Sequence, residues 1–186
     1  MLKWLFHRRL NAFEREHGYD ASYMHAVIDT DVGGFVKFAR ATGLGRYRKD
    51  VPADVYVAAT LTSSIHADCG PCTQLGVGFA LRAGIPAATI AAVVKRDEAA
   101  MSRDVALAVR FALAVLTRDG DVADALRDQI VQRWGPRALL ALAFGIMGAQ
   151  LYPTLKYALG HGKACTRVVV AGQAVSPRKL AAEAAA

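Results

Sequence analysis

Cys69-Gly70-Pro71-Cys72-Thr73-Gln74-Leu75-Gly76-Val77-Gly78-Phe79-Ala80-Leu81-Arg82, followed by Ala83-Gly84, is the stretch on which the fold turns. Two of the three cysteines stand here one helical turn apart, a spacing that random placement in a chain this long gives only about three times in a hundred. The residues downstream decide the architecture. Gly76 to Arg133 is rich in alanine, with apolar residues at helical steps rather than in the alternation of strands. The cysteine pair therefore opens a helix over Cys69 to Ala83, closed by Gly84.

Working outward, nearly every segment reads as helix. Asp20 to Thr42 carries Met24, Val27, Ile28, Val32, Phe35 and Phe38 at mixed three- and four-residue steps and stops at Gly43 and Gly45. Ala53 to Ile65 fits a helix after Pro52, although its Val-Tyr-Val start also reads as strand. Pro86 starts a helix to about Lys95. Ser102 caps Arg103 to Thr117, which is apolar nearly all round and so belongs in the centre, and Asp121 caps a more amphipathic helix that ends at Gly135. From Pro136 a helix presents Ala141, Gly145, Gly148 and Ala149, small residues that admit a second backbone. After Pro153 only Thr166 to Ala171 looks extended. The expectation is an all-α, compact helical bundle in one domain spanning 1–186, with a frayed tail over 180–186.

Composition narrows the function classes. The 186 residues suffice for one core without disulfide staples, and three cysteines are too few for a secreted disulfide scaffold. The start, Met1 to Arg9, mixes apolar and basic residues, unlike a secretory signal, and the apolar run Ala138 to Ala149 is too short to cross a bilayer. A cytoplasmic protein that neither spans nor lies on a membrane is expected. The net charge of +7 comes from basic residues interleaved with acidic ones and without alternating aromatics, which argues against nucleic-acid binding. A hydrophobic fraction of 54% points to apolar surface buried between subunits, hence a homo-oligomer.

The chemistry centres on Cys69 and Cys72. At a helix start, unpaired N–H groups and the positive dipole end favour thiolate over thiol at Cys69, while Cys72, one turn further in, is expected to be the more buried. Gly-Pro between the cysteines is also the thioredoxin dipeptide, but that fold needs strands downstream that are missing here. A wider resemblance runs from about Asp54 to Leu116, within a core region 54–118: an Ala-rich helix, the Cys-x-x-Cys helix, Ala83-Gly84-Ile85-Pro86, Ala-Ala-Val-Val, a short acidic connection and a long apolar helix. This resembles the alkylhydroperoxidase D and carboxymuconolactone decarboxylase superfamily.

The resemblance implies an all-helical trimer or hexamer, without a bound cofactor, that reduces a small-molecule peroxide and is regenerated by a dithiol or protein reductant. It also implies that Cys72 is the peroxidatic thiolate and Cys69 the resolving thiol that meets the external reductant. Helix-terminus electrostatics instead favours Cys69 as first nucleophile, and both assignments stay open. In that family a glutamate lies twelve residues before the first cysteine and a histidine four after the second; here these positions hold Val57 and Gly76. His66, three residues before Cys69, is the available substitute, as imidazolium beside a thiolate or as a neutral base, with helix C-capping as the plainer role. Disulfide formation is then expected to collapse in His66→Ala. Asp68 is expected to turn to the backbone as an N-cap, and Ser63, Ser64 and Thr73 either bond a sulfur or satisfy helix carbonyls.

Rival readings use the same residues. His66, Cys69 and Cys72, with His161 or Cys165 as fourth ligand, make a zinc set. A helical oligomer without turnover is a second rival, and lactone decarboxylation a third that does not call for a dithiol. Cys165 otherwise reads as a buried small hydrophobe, and His7, His17 and His25 as solvated or capping side chains. Tyr152, Lys156 and Tyr157 read as core or as pocket lining.

Overall fold

The computed structural model describes residues 2–178; Lys179 and the tail expected to fray lie outside the described residues. Nine α-helices and one short hairpin are formed among them. The chain opens with α1 (Leu2–His17), α2 (Ser22–Thr30) and α3 (Val32–Ala41), then a 3₁₀ turn at Thr42–Arg46. It continues with α4 (Ala53–His66), α5 (Gly70–Arg82), α6 (Ala87–Lys95), α7 (Arg103–Thr117), α8 (Gly120–Trp134) and α9 (Pro136–Ala158). Antiparallel β1 (Val168–Val170) and β2 (Gln173–Val175) close it. The helical reading therefore holds, and the Val-Tyr-Val start of α4 is helix.

The core is built on α4 and α7, whose packing on each other buries Val55, Ala58, Ala59 and Leu61 against Val105, Ala108, Val109 and Ala112. As its all-round apolar pattern requires, α7 is central. Ser102 caps it, accepting from the Val105 amide at 3.2 Å. The cap of α8 is Asp119, accepting from Val122, rather than Asp121. Arg118 ends α7 in the left-handed conformation (φ 60°), so the next helix starts two residues sooner than its apolar pattern shows.

The expected single helix over Asp20 to Thr42 is two. Asp31 is extended (φ −155°, ψ 112°), and its carboxylate accepts from the Gly33 and Gly34 amides at 2.9 and 2.8 Å. A carboxylate able to cap two amides ahead of a glycine pair outcompetes helix continuation. Conversely α9 runs through Pro153, giving one helix of 23 residues that is long and apolar enough to cross a membrane by length and composition, contrary to the expectation from the run Ala138 to Ala149. It packs on α4, α8 and the 3₁₀ turn, with Ala138, Ala141, Leu142, Gly145 and Ile146 buried. Gly148 admits the backbone of Gly45, while Gly145 admits the Tyr56 ring.

α1 is held to α2 through a row of side chains. Asp29 meets His7 Nε2 at 3.0 Å, His7 Nδ1 lies 2.6 Å from His25 Nδ1, and His25 Nε2 lies 3.3 Å from Glu14. The ring planes are 2° from parallel with centroids 4.9 Å apart, so the imidazoles meet edge to edge and share one proton in a hydrogen bond. These histidines are thus bonded structural groups rather than solvated ones.

The hairpin is joined to α5 by a side chain acting as a strand edge. Gln74 Nε2 donates to the Val169 carbonyl at 3.0 Å, and the Val169 amide donates to Gln74 Oε1 at 2.7 Å.

Candidate redox site

The two cysteine sulfurs lie at disulfide-bonding distance, with Cα atoms 5.3 Å apart, within the range that a bridge requires. Cys69 is the N-cap of α5, Pro71 occupies the first turn, and Cys72 is the third helical residue. A proline there removes an amide that the first turn cannot use.

The burial of the pair is the reverse of the expectation. Cys69 is wholly buried, and Cys72 is the half-exposed partner. The reason lies in the chain's far end. Lys163 to Cys165 crosses the start of α5: the Gly70 amide donates to the Lys163 carbonyl at 3.0 Å, and the Cys165 amide donates to Asp68 Oδ1 at 2.7 Å. The Tyr157 hydroxyl donates to the Asp68 carbonyl at 3.0 Å. Asp68 sits in the left-handed region (φ 52°) and turns its carboxylate to this crossing segment instead of capping α5.

Close crossing needs a glycine at position 70. A Cβ there would stand 2.8 Å from the Ala164 carbonyl oxygen, a backbone atom without a rotamer to escape into. Gly70→Ala is expected to lower stability by about 1–3 kcal/mol, read by denaturant unfolding, and to increase alkylation of Cys69 in the reduced protein.

His66 ends α4 with its ring exposed. Partial burial, then the nearby Arg96 guanidinium, lower its pKa below the usual 6.5, so the imidazole is neutral at neutral pH. It forms no hydrogen bond to either sulfur among the described residues. Thr73 Oγ1 donates to the Cys69 carbonyl at 2.9 Å and Ser63 Oγ to the Ile146 carbonyl at 2.8 Å, so both hydroxyls satisfy backbone. Cys165 is buried behind Gly70, and His161 lies beside the Tyr23 ring. No group of three His, Cys, Asp or Glu side chains is placed to hold a metal ion among the described residues, so the zinc set is not assembled.

At position 76, where the resembling superfamily carries a histidine, a Cβ on Gly76 would stand 2.9 Å from Leu61 Cδ2, and Leu61 is buried in the core. Val57, where that superfamily carries a glutamate, packs against the same core.

A cavity of about 290 Å³ runs along α5, walled on one side by Pro71, Leu75, Gly78 and Arg82 and on the other by His17 and Tyr19. Leu75 is three residues beyond Cys72 and shares its side of the helix. Sequence reasoning missed this groove because the wall supplied by the α1–α2 connection has no local signature near the cysteines. Behind it, Lys156 is buried, its Nζ 4.6 and 4.8 Å from the Tyr19 and Tyr23 ring centroids. Burial lowers the Lys156 pKa and raises that of Tyr23. Of the Tyr152-to-Tyr157 stretch, Lys156 thus enters a buried cation–π cluster, while Tyr152 and Tyr157 are exposed rather than core.

No family model, curated protein or solved structure matches the chain.

Proposed function

We propose that the chain is a thiol–disulfide oxidoreductase, peroxidase-like, that cycles Cys69 and Cys72 between dithiol and disulfide. The observation that carries this reading is the sulfur pair at bonding distance at the start of α5, with one member open to solvent. In the reductive half, Cys72 thiolate attacks the distal oxygen of a hydroperoxide, forming S–O as O–O breaks. The alkoxide takes a proton and leaves as an alcohol. Cys69 thiol then displaces hydroxide from the sulfenic acid, S–S forms as S–O breaks, and the hydroxide leaves as water with the Cys69 proton. Two electrons pass from the thiols to the peroxide, and an external dithiol returns them by exchange. With Cys69 buried, both peroxide and reductant reach Cys72 first, so one sulfur serves both half-reactions. The dipole of α5 favours its thiolate. Neither a metal nor a cofactor is part of this reading.

The test is peroxide consumption by reduced protein with a small dithiol as donor. Catalytic loss of peroxide that stops when the donor is omitted supports the reading; stoichiometric loss without turnover contradicts it.

One observation favours a second reading, a helical oligomer whose cysteines are redox-sensitive without turnover: Gly76 and Val57, which stand where the resembling superfamily has its histidine and glutamate, pack against Leu61 and the apolar core and carry no titratable group. His66 does not supply one by contact. We therefore expect His66→Ala to change the oxidation rate by less than about threefold, against the collapse expected from the sequence, because a neutral imidazole outside hydrogen-bond reach offers little. The same substitution is expected to reduce the loss of stability on acidification. A folded-state pKa below 6.5 means the unfolded chain takes up its proton first, so stability falls as pH drops below about 6.5. Stopped-flow oxidation and urea unfolding between pH 7.5 and about 5 check both statements.

As partners, the reading takes a small peroxide, a dithiol or protein reductant, and a second copy of the chain in the cytoplasm. Leu140 and Met147 are exposed on α9 two turns apart, with Ala143 and half-buried Phe144 between them. This apolar stripe is the surface for self-association. Met147→Lys is expected to reduce the sedimentation coefficient while leaving the helical circular dichroism intact.

A further inference from the structure

The groove along α5 is polar at its two ends and largely apolar between them. At one end, Arg82 is exposed and held in place: it donates from Nη2 to His17 Nδ1 at 3.3 Å and lies over the Phe79 ring, 5.0 Å from its centroid. The His17 side chain is nearly buried, packed edge-on against the rings of Phe13 and Phe79. A guanidinium carries five N–H donors. Only one of these is used, and no carboxylate pairs with Arg82 among the described residues. The fork is oriented and open.

At the other end, Pro71 sits between the cysteines, and Asp20 lines the groove and reaches Lys163 of the segment that crosses the start of α5. Asp20 accepts from the Ser22 amide at 3.0 Å and meets Lys163 Nζ at 3.5 Å. The Ser22 bonds are the main cause of its pKa lying at about 2, so its carboxylate is ionised at neutral pH and paired with the Lys163 ammonium. Leu75, Gly78 and Tyr19 line the stretch between, together with Gln74, whose side-chain amide is held by the Val169 backbone. From Pro71 to Arg82 the helix rises about 16 Å.

We propose that this groove binds an elongated apolar chain ending in a carboxylate, its acid head on Arg82 and its far portion toward Cys72. The substrate class that follows is a long-chain organic acid hydroperoxide; this part rests on the redox reading above, with the electron and atom balance given there. A planar carboxylate matches the guanidinium fork, whereas an ester or alcohol of the same length loses the charge-assisted pair.

The test has two arms, each with wild type, Arg82→Gln and Arg82→Lys. In the first, dodecanoate and dodecanol are titrated calorimetrically into the oxidised protein. Dodecanoate is expected to bind wild type, to weaken about tenfold in Arg82→Gln and less in Arg82→Lys, with dodecanol unaffected by either change. Absent dodecanoate binding, or equal binding to Arg82→Gln, overturns the site whatever the fate of the redox reading. In the second arm, the reduced protein is oxidised by a fatty acid hydroperoxide, by its methyl ester and by hydrogen peroxide. The acid is expected to react about tenfold faster than the ester, with that preference lost in Arg82→Gln and kept in part by Arg82→Lys. Equal rates for acid and ester in wild type overturn the substrate class while sparing the redox reading. Oxidation by none of the three overturns the redox reading and the substrate class together, while the first arm still decides the acid site.

Discussion

Cys72→Ser is expected to abolish oxidant-driven consumption of peroxide, whereas Cys69→Ser is expected to retain one turnover and then stall. The asymmetry follows from the inverted burial of the pair. Cys72 is half-exposed at the third position of α5, beside the groove wall formed by Pro71 and Leu75. Cys69 is wholly buried beneath the segment Lys163 to Cys165. Only the outer sulfur meets a peroxide, so its loss is expected to lower the rate at least about a hundredfold, leaving the background of an ordinary thiol. Without Cys69 the sulfenic acid forms on Cys72 and finds no neighbour to displace its oxygen, so a dimedone adduct accumulates on Cys72. A dimedone adduct on Cys69 in the Cys72→Ser protein, at a rate near wild type, would reverse the assignment.

The second large effect concerns stability. Gly76→His is expected to destabilise the fold by about 1–3 kcal/mol without raising the peroxide rate, because its Cβ enters the space of a fully packed leucine. A Cβ at position 76 would stand 2.9 Å from Leu61 Cδ2, and Leu61 is 2% exposed, so a buried side chain must shift to admit it. The diagnostic is a double-mutant cycle. Leu61→Ala alone leaves a cavity and is expected to cost about 2–5 kcal/mol. Combined with Gly76→Ala, the losses are expected to fall short of their sum by at least about 1 kcal/mol, since the clash disappears with the leucine. Strict additivity would show that the two positions do not compete for the same space.

These two expectations divide what the sequence shows from what only the fold reveals. Helix α7 is legible because Val105, Ala108, Val109, Phe111 and Ala112 form an apolar surface wider than one stripe, and Ser102 has the chemistry of a cap. The Cys-x-x-Cys helix is legible for similar reasons, its proline at the start and Gly84 (φ 80°) just past the end. The break at Asp31 is less so: apolar steps continue across it, and only the double capping of Gly33 and Gly34 shows why the chain turns there. At the candidate site, spacing places the cysteines together, because a helical turn is a local fact. Which of them faces solvent is not local. It depends on a carbonyl contributed 93 positions later, from Lys163 onto Gly70. The same holds for Gln74, whose amide clamps Val169, and for the groove wall supplied by His17 and Tyr19. His66 stands close to Cys69 in sequence yet makes no hydrogen bond to either sulfur among the described residues, and the charge that acts on it is Arg96, just past the end of α6, a helix that packs on α4.

The most direct test is intact-mass analysis of the fully reduced protein after one equivalent of hydroperoxide, followed by alkylation under native conditions and peptide mapping. The proposed cycle requires loss of two hydrogen atoms, located to the peptide holding Cys69 and Cys72, restored by a dithiol, with Cys165 alkylated only after unfolding. An unchanged mass, or a bridge that includes Cys165, would contradict it.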